Sequence, residues 1–223
     1  MNEQVVLGID IGGTNTVYGL ITKKGEVIHH ESIPTRGSLP ILDLLKRLDF
    51  KVNEVLSSFS EIGELVGIGI GAPNGNHFTG MIQDPPNLSW GNVDVIRLFS
   101  DMFNCKVNLT NDANAAALGE KHFGIAKDMD DFVVITLGTG LGSGIFCGGR
   151  LLYGHDGFAG EMGHICIEVD GRLCNCGNKG CLEAYASAGG IRKTIKNLLL
   201  ENPESAFLKS LNGEKVDGIL LDE

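Results

Sequence analysis

The sequence predicts an α/β protein of two related domains around a cleft. Three observations predict it. Apolar runs of strand length alternate with longer segments of helical period. A unit of strand, glycine turn and strand occurs twice, with Ile9, Gly12 and Leu20 matched at one constant offset by Ile135, Gly138 and Phe146. Many of the 32 glycines sit between apolar runs, where tight turns and close backbone approaches are expected.

The elements follow in order. VVLGIDIGGTNTVYGLITKKGEVIHHESI reads as a strand, a glycine turn, a second strand, a Lys-Gly turn and a third strand, an antiparallel meander. Apolar residues of helical period predict a helix over about 40–58. LVGIGIGAP is short, apolar, glycine-spaced and closed by Pro73, which suits a buried central strand. APNGNHFTGMIQDPPNLSWGN then reads as a long loop with room for a short hairpin, and long loops in compact domains are often functional. VDVIRLFSDMF has helical spacing from 93, KVNLTN suits a strand, and DANAAALGEKHFG opens with Asp112 and ends with Gly124 as an N-capped helix. After the polar stretch IAKDMDD the strand, glycine turn, strand unit returns, so the domains are expected at 1–123 and 124–223.

Composition narrows the function. A net charge of -10 argues against a nucleic-acid surface, which needs clustered Lys and Arg to neutralise phosphates. No apolar run approaches the roughly 18 residues of a membrane span, and MNEQVV lacks the features of a signal peptide. The expectation is a cytoplasmic protein with no membrane or nucleic-acid partner. In a reducing compartment its six cysteines are thiols or metal ligands, and Cys105, Cys147 and Cys166, in apolar stretches, read as inert core thiols.

A glycine turn between strands exposes backbone N–H groups and admits a close ligand, which suits phosphate; a plain turn is the competing reading. Neither turn fits a known mononucleotide fingerprint, since no GxxxxGK[ST] run exists and Ser143 breaks GxGxxG. His164, Cys174, Cys176 and Cys181 form an H-x9-C-x-C-x4-C array. Thiolates and imidazole at this spacing suit a closed, four-coordinate structural zinc, with a loop of free thiols as the alternative. Asp112 stands at a strand-to-helix junction, where a helix N-terminus favours negative charge. It reads from its position as a helix cap.

DIGGTNT and LGTGLGSG resemble the two phosphate motifs of the actin-like, ribonuclease-H-like ATPase superfamily. With NDANAAALGE, GEMGH and CNCGNKGCLE, the chain from Asp10 to Ser187 resembles the ROK family of bacterial sugar kinases and repressors, glucokinase-like members above all. The resemblance implies an actin-like fold and an ATP-dependent hexose kinase, with glucose converted to glucose 6-phosphate. It reverses the reading of Asp112, making it the general base. It implies that Asn111, Asp112, Glu161, His164 and Glu183 hold the sugar hydroxyls, with Asn87 nearby. Glu183 as a helix cap and Glu161 as a solvated loop residue are the bland alternatives. Asp10 would act through Mg2+, and Gly12, Gly13, Thr14, Gly138, Thr139 and Gly140 would line the phosphates of ATP.

The family's zinc matches the Cys and His array, and its ligating His also helps to hold the sugar. Mannose, N-acetylglucosamine and N-acetylmannosamine remain alternative substrates. A homodimer or homotetramer is implied. ROK kinases continue well past the length of this chain, so the second domain is expected to be incomplete. A sugar-sensing repressor of the family would carry an N-terminal helix-turn-helix, for which the strand beginning by residue 4 leaves no room. A catalytically silent sugar-binding protein is the third reading, and the intact Asp112 and both glycine turns argue against it.

Overall fold

The computed structural model describes residues 3–58, 62–85 and 88–205. Packing divides the chain into two compact units: residues 1–133 with 144–159, and residues 134–143 with 160–223.

The first unit opens with strands β1 (Glu3–Ile11), β2 (Asn15–Thr22) and β3 (Val27–Pro34), the expected meander. Helix α1 (Ile41–Ser58) follows, then β4 (Ile62–Gly71). The long loop contains a short hairpin, β5 (Met81–Ile82) with β6 (Val93–Asp94), and leads into α2 (Val95–Phe103), β7 (Lys106–Thr110) and α3 (Asp112–Phe123). Helix α2 starts two residues later than its periodicity suggests, because the Asp94 side chain accepts from the Arg97 N–H and caps it.

The main sheet runs β3-β2-β1-β4-β7, antiparallel through the meander and parallel from β1 to β4 to β7. Register puts Leu7 opposite Ile68 and Ile9 opposite Ile70, so alternate residues of each strand share a face. That face packs on α1, whose Ile41, Leu44, Leu45, Leu48, Val52 and Val55 form one buried stripe, and on Val95 and Phe99 of α2. β4 is the central strand, and its other face is covered only at its end, where Gly71 is buried against the start of α3. On the other face it carries Gly67, Gly69 and Gly71, beside Lys106, Asn108 and Thr110 of β7.

β8 (Phe132–Leu137), β9 (Leu141–Cys147) and β10 (Arg150–Leu151) form a three-stranded sheet in the order β10-β9-β8, and the division between the units falls inside β8 and β9. The second unit continues with a 3-10 turn (Met162–His164) and helices α4 (Glu183–Ala186) and α5 (Ala188–Glu201). The core-thiol reading fails for two cysteines. Cys147 follows buried Phe146 in β9, so strand alternation turns it to solvent, and Cys166 is exposed in the loop after the 3-10 turn. Among the described residues no helix is long and apolar enough to cross a membrane.

Candidate active site and metal centre

The glycine turn of the first unit is shaped by its own hydrogen bonds. Gly12 N–H donates to the Asn15 carbonyl at 2.9 Å, and a Cβ on Gly12 would meet that same oxygen at 2.7 Å. Only glycine closes the turn this way. Thr35, just past β3, locks it from the side: its N–H donates to Thr14 O at 2.8 Å and its hydroxyl to Gly12 O at 2.7 Å, while Thr16 and Thr35 share a buried hydroxyl contact of 2.9 Å. Gly13 and Thr14 form the tip, half-buried and exposed respectively.

Asp10 stands at the end of β1, level with Gly71 of β4 and Thr110 of β7. α3 begins directly after β7. Its cap is Asn111 rather than Asp112: Asn111 has extended backbone and its Oδ1 accepts from Ala113 N–H at 2.9 Å, leaving Asp112 as the first helical residue. Asp112 Oδ1 also accepts from Ala113 N–H, at 2.8 Å. Gly71 is the space between the two acids. A Cβ there would meet Asp112 Cα at 3.5 Å, Asp10 Oδ1 at 3.7 Å and Ala115 Cβ at 3.1 Å. Asp10 is held above the usual carboxylate range, chiefly by partial desolvation and secondly by the Asp112 carboxylate. Two acids on a hydrogen-bonded frame of strand ends and a helix N-terminus form a donor set for a hard divalent cation and a proton acceptor for a hydroxyl.

The loop after β4 packs beside this frame. Ala72 N–H donates to Thr110 O at 3.1 Å, and Gly75 lies so close to Thr110 that a Cβ would fall 2.5 Å from its carbonyl oxygen. His77 stacks on Tyr153 with ring centroids 4.2 Å apart. Asn87 lies outside the described residues.

In the second unit, Gly138 N–H donates to Gly140 O at 3.0 Å across the turn that contains Thr139. Glu183, the first residue of α4, sends its carboxylate to this turn: Oε2 accepts from Leu141 N–H at 2.9 Å, and Oε1 accepts from the Cys174 thiol at 3.6 Å. The helix-cap reading of Glu183 fails, since α4 has no side-chain cap. A carboxylate linking the second glycine turn to the cysteine array was not legible in the sequence, because 42 residues separate Glu183 from Leu141.

The metal array does assemble. One ligand atom each from His164, Cys174, Cys176 and Cys181 lies within 4.8 Å of the others. Cys176 Sγ and Cys181 Sγ are 3.7 Å apart, and Cys174 Sγ lies 3.8 Å from His164 Nδ1. Thiolates at the usual zinc distance of about 2.3 Å stand about 3.8 Å apart in a tetrahedron, so these residues fit zinc. Gly177, at φ 91°, donates to Cys174 O at 3.0 Å and turns the C-x-C segment; Gly180, at φ 77°, has the Glu168 carbonyl where a Cβ would go. Burial pushes the Cys181 thiol up to about 12, with neighbouring thiols adding to it. The Asn178 backbone N–H draws Cys176 down. While Nδ1 of His164 faces the thiols, its Nε2 lies 3.9 Å from Glu161 Oε2. Behind the array, Arg172 stacks on Tyr185 at 4.5 Å and donates to the Ala184 and Gly190 carbonyls and to Thr194, tying the loop to α4 and α5.

The sequence profile of the ROK family matches residues 6–217. The chain belongs to the ROK family. The ROK chain is 38% identical to a glucokinase of Thermotoga maritima over 198 residues, 88% of this chain and 61% of that protein. It is 39% identical to the xylose repressor of Bacillus subtilis over 191 residues, 85% of this chain and 50% of that one. Among solved structures, the ROK family glucokinase from Streptomyces griseus in complex with glucose and AMPPNP matches with a TM-score of 0.75 and 34% identity, over 96% of this chain and 68% of that one. A ROK family transcriptional regulator, a homolog of the E. coli MLC protein, matches with a TM-score of 0.82 and 31% identity, over 93% of this chain and 52% of that one. The fold is thus the actin-like ATPase fold. This ROK chain spans about three fifths of the length of the glucokinases it matches, 61% and 63% for two of them.

Proposed function

We propose that this ROK chain carries the acceptor site, the general base and both phosphate turns of an ATP-dependent hexose kinase that converts glucose to glucose 6-phosphate. The observation that carries the reading is the pairing of Asp10 and Asp112 around Gly71, one acid beside a glycine turn and the other at a helix N-terminus. In this reading the sugar hydroxyl oxygen bonds to the γ-phosphorus while the bond to the departing ADP oxygen breaks, and the hydroxyl proton passes to the Asp112 carboxylate. The transition state is loose, so a well-positioned base of ordinary strength suffices.

Asp10 would hold Mg2+, directly or through water, and that ion supplies charge neutralisation for the phosphates when bound. Two mutually repelling carboxylates are a donor chemistry that such a cation relieves. Gly12, Gly13 and Thr14 in the first domain (1–123), and Gly138, Thr139 and Gly140 in the second (124–223), would offer backbone N–H groups and a hydroxyl to the phosphates. Asn111, Glu161, His164 and Glu183, with Asn87, would hold the hexose hydroxyls, since amides and carboxylates accept from or bridge adjacent hydroxyls. His164, Cys174, Cys176 and Cys181 would hold a structural zinc, whose chemistry is to order their loop. His164 suits both duties, because Nδ1 faces the thiols and Nε2 faces Glu161.

A second reading rests on the resemblance to a xylose repressor and to the MLC homolog: a sugar-responsive regulator that binds its sugar without phosphorylating it. ATP-dependent phosphate transfer to a panel of glucose, mannose, N-acetylglucosamine and N-acetylmannosamine, with Asp112→Ala as control, separates the two. Turnover on one sugar that vanishes in the variant supports the kinase and names its substrate. Sugar binding without turnover supports the regulator.

A further inference from the structure

We infer that Asn76 is a positioning residue for the hexose acceptor, acting on the segment that leads to Glu161 and His164; the inference rests on the hexose-kinase reading. Asn76 is buried at 2% exposure beside the exposed residues 77–79, and its amide is engaged at both ends. Oδ1 accepts from the N–H groups of Phe78 at 2.9 Å and Thr79 at 3.2 Å, which folds its own loop. Nδ2 donates to the Asp156 carbonyl at 2.7 Å, 80 residues away, and to Gln83 Oε1 at 3.3 Å. Gly157, at φ 92°, lies flat against the same amide: a Cβ there would fall 2.9 Å from both Nδ2 and Oδ1.

The two halves of the amide therefore have separate duties. The acceptor half shapes the local turn, and the donor half holds Asp156 and Gly157. Five residues after Asp156 comes Glu161, and three further on His164. The groove beside this contact, about 490 Å³ between Phe78 and Phe158, is open to solvent, so little packing on that side would replace the lost bonds. Only four residues lie between Asp156 and Glu161, so loosening the anchor loosens the start of the segment that carries Glu161 and His164.

The test uses Asn76→Asp and Gly157→Ala in the full-length protein. Asn76→Asp keeps the acceptor half and loses the donation to Asp156; Gly157→Ala disrupts the same contact from the other side. Hydrogen exchange reads the anchor without any need for turnover. Both variants should exchange faster at the N–H groups of Ala159, Met162, His164 and Ile165, with β1 and β4 still protected. In phosphoryl transfer, the hexose KM should rise about tenfold with kcat and the ATP KM nearly unchanged, and the double variant should be no worse than the poorer single one. Unchanged exchange at 159–165 overturns the inference, as does a fall in kcat or in melting temperature with the hexose KM unmoved. If the wild type phosphorylates no sugar, the kinase reading fails by itself, and exchange still decides whether Asn76 anchors the segment.

Discussion

Asp10 and Asp112 stand on either side of Gly71, with nothing larger than a hydrogen atom on that residue to separate them. The strand ends and the start of α3 hold the two acids near each other. The neighbouring Asp112 carboxylate is one of the two causes that raise Asp10.

On the proposed mechanism, removing the Asp112 carboxylate should stop chemistry without emptying the sugar site. Asp112→Ala should lower kcat by roughly 10²–10⁴-fold. Glucose affinity, measured by calorimetry, should stay within a few-fold. Activity within about tenfold of wild type would end the general-base assignment.

The pair also predicts a pH signature. The pKa of Asp10 is raised in the folded state, so the folded protein binds that proton more tightly than the unfolded chain. Its contribution is intact below the ordinary Asp value of about 3.9 and is lost as pH rises through the raised value. Asp112→Asn removes part of the repulsion. Its melting temperature should therefore exceed that of wild type at pH 7, and the gap should close as the buffer is taken into acid. Added Mg2+ should narrow the gap at pH 7. A gap that does not depend on pH would mean that the two carboxylates are uncoupled.

Gly12→Ala tests the first phosphate turn. Its Cβ would press on the Asn15 carbonyl oxygen, the acceptor of the Gly12 N–H itself, so the turn must open. The ATP KM should rise about tenfold while the hexose KM holds. The reverse pattern would move this turn from the nucleotide to the sugar.

For the metal centre, elemental analysis of the purified protein should find one zinc per chain. Cys181→Ser should lose the metal and lower the melting temperature, because a buried ligand cannot be replaced from solvent. Cys166→Ser should keep it. Stoichiometric zinc in Cys181→Ser would show that the array binds metal in some other way.

Much of this was legible in the chain. The meander, α1 and β4 follow from apolar period and turn chemistry, which are local. The metal quartet follows from spacing, because three of its ligands fall within eight residues. The failures share another cause. Asn111 and Asp112 are both good caps, and only the backbone angles decide between neighbours. Cys147 and Cys166 are exposed because of where their strand and loop lie, which the surrounding apolar letters do not reveal. The docking of Glu183 on Leu141 and of Asn76 on Asp156 joins residues 42 and 80 apart, and no local pattern encodes such distances.

The first unit is not continuous along the chain: residues 134–143 leave it and 144–159 return to it. During synthesis, the sheet from β1 to β7 can therefore form while the ribosome is still adding residues, but the His77–Tyr153 stack and the Asn76–Asp156 bond must wait for the return segment. At about 5–20 residues per second, this delay lasts seconds, long compared with hairpin formation. The loop after β4 thus spends that interval without its partners, and Phe78, 58% exposed even in the finished fold, stays open to solvent throughout it.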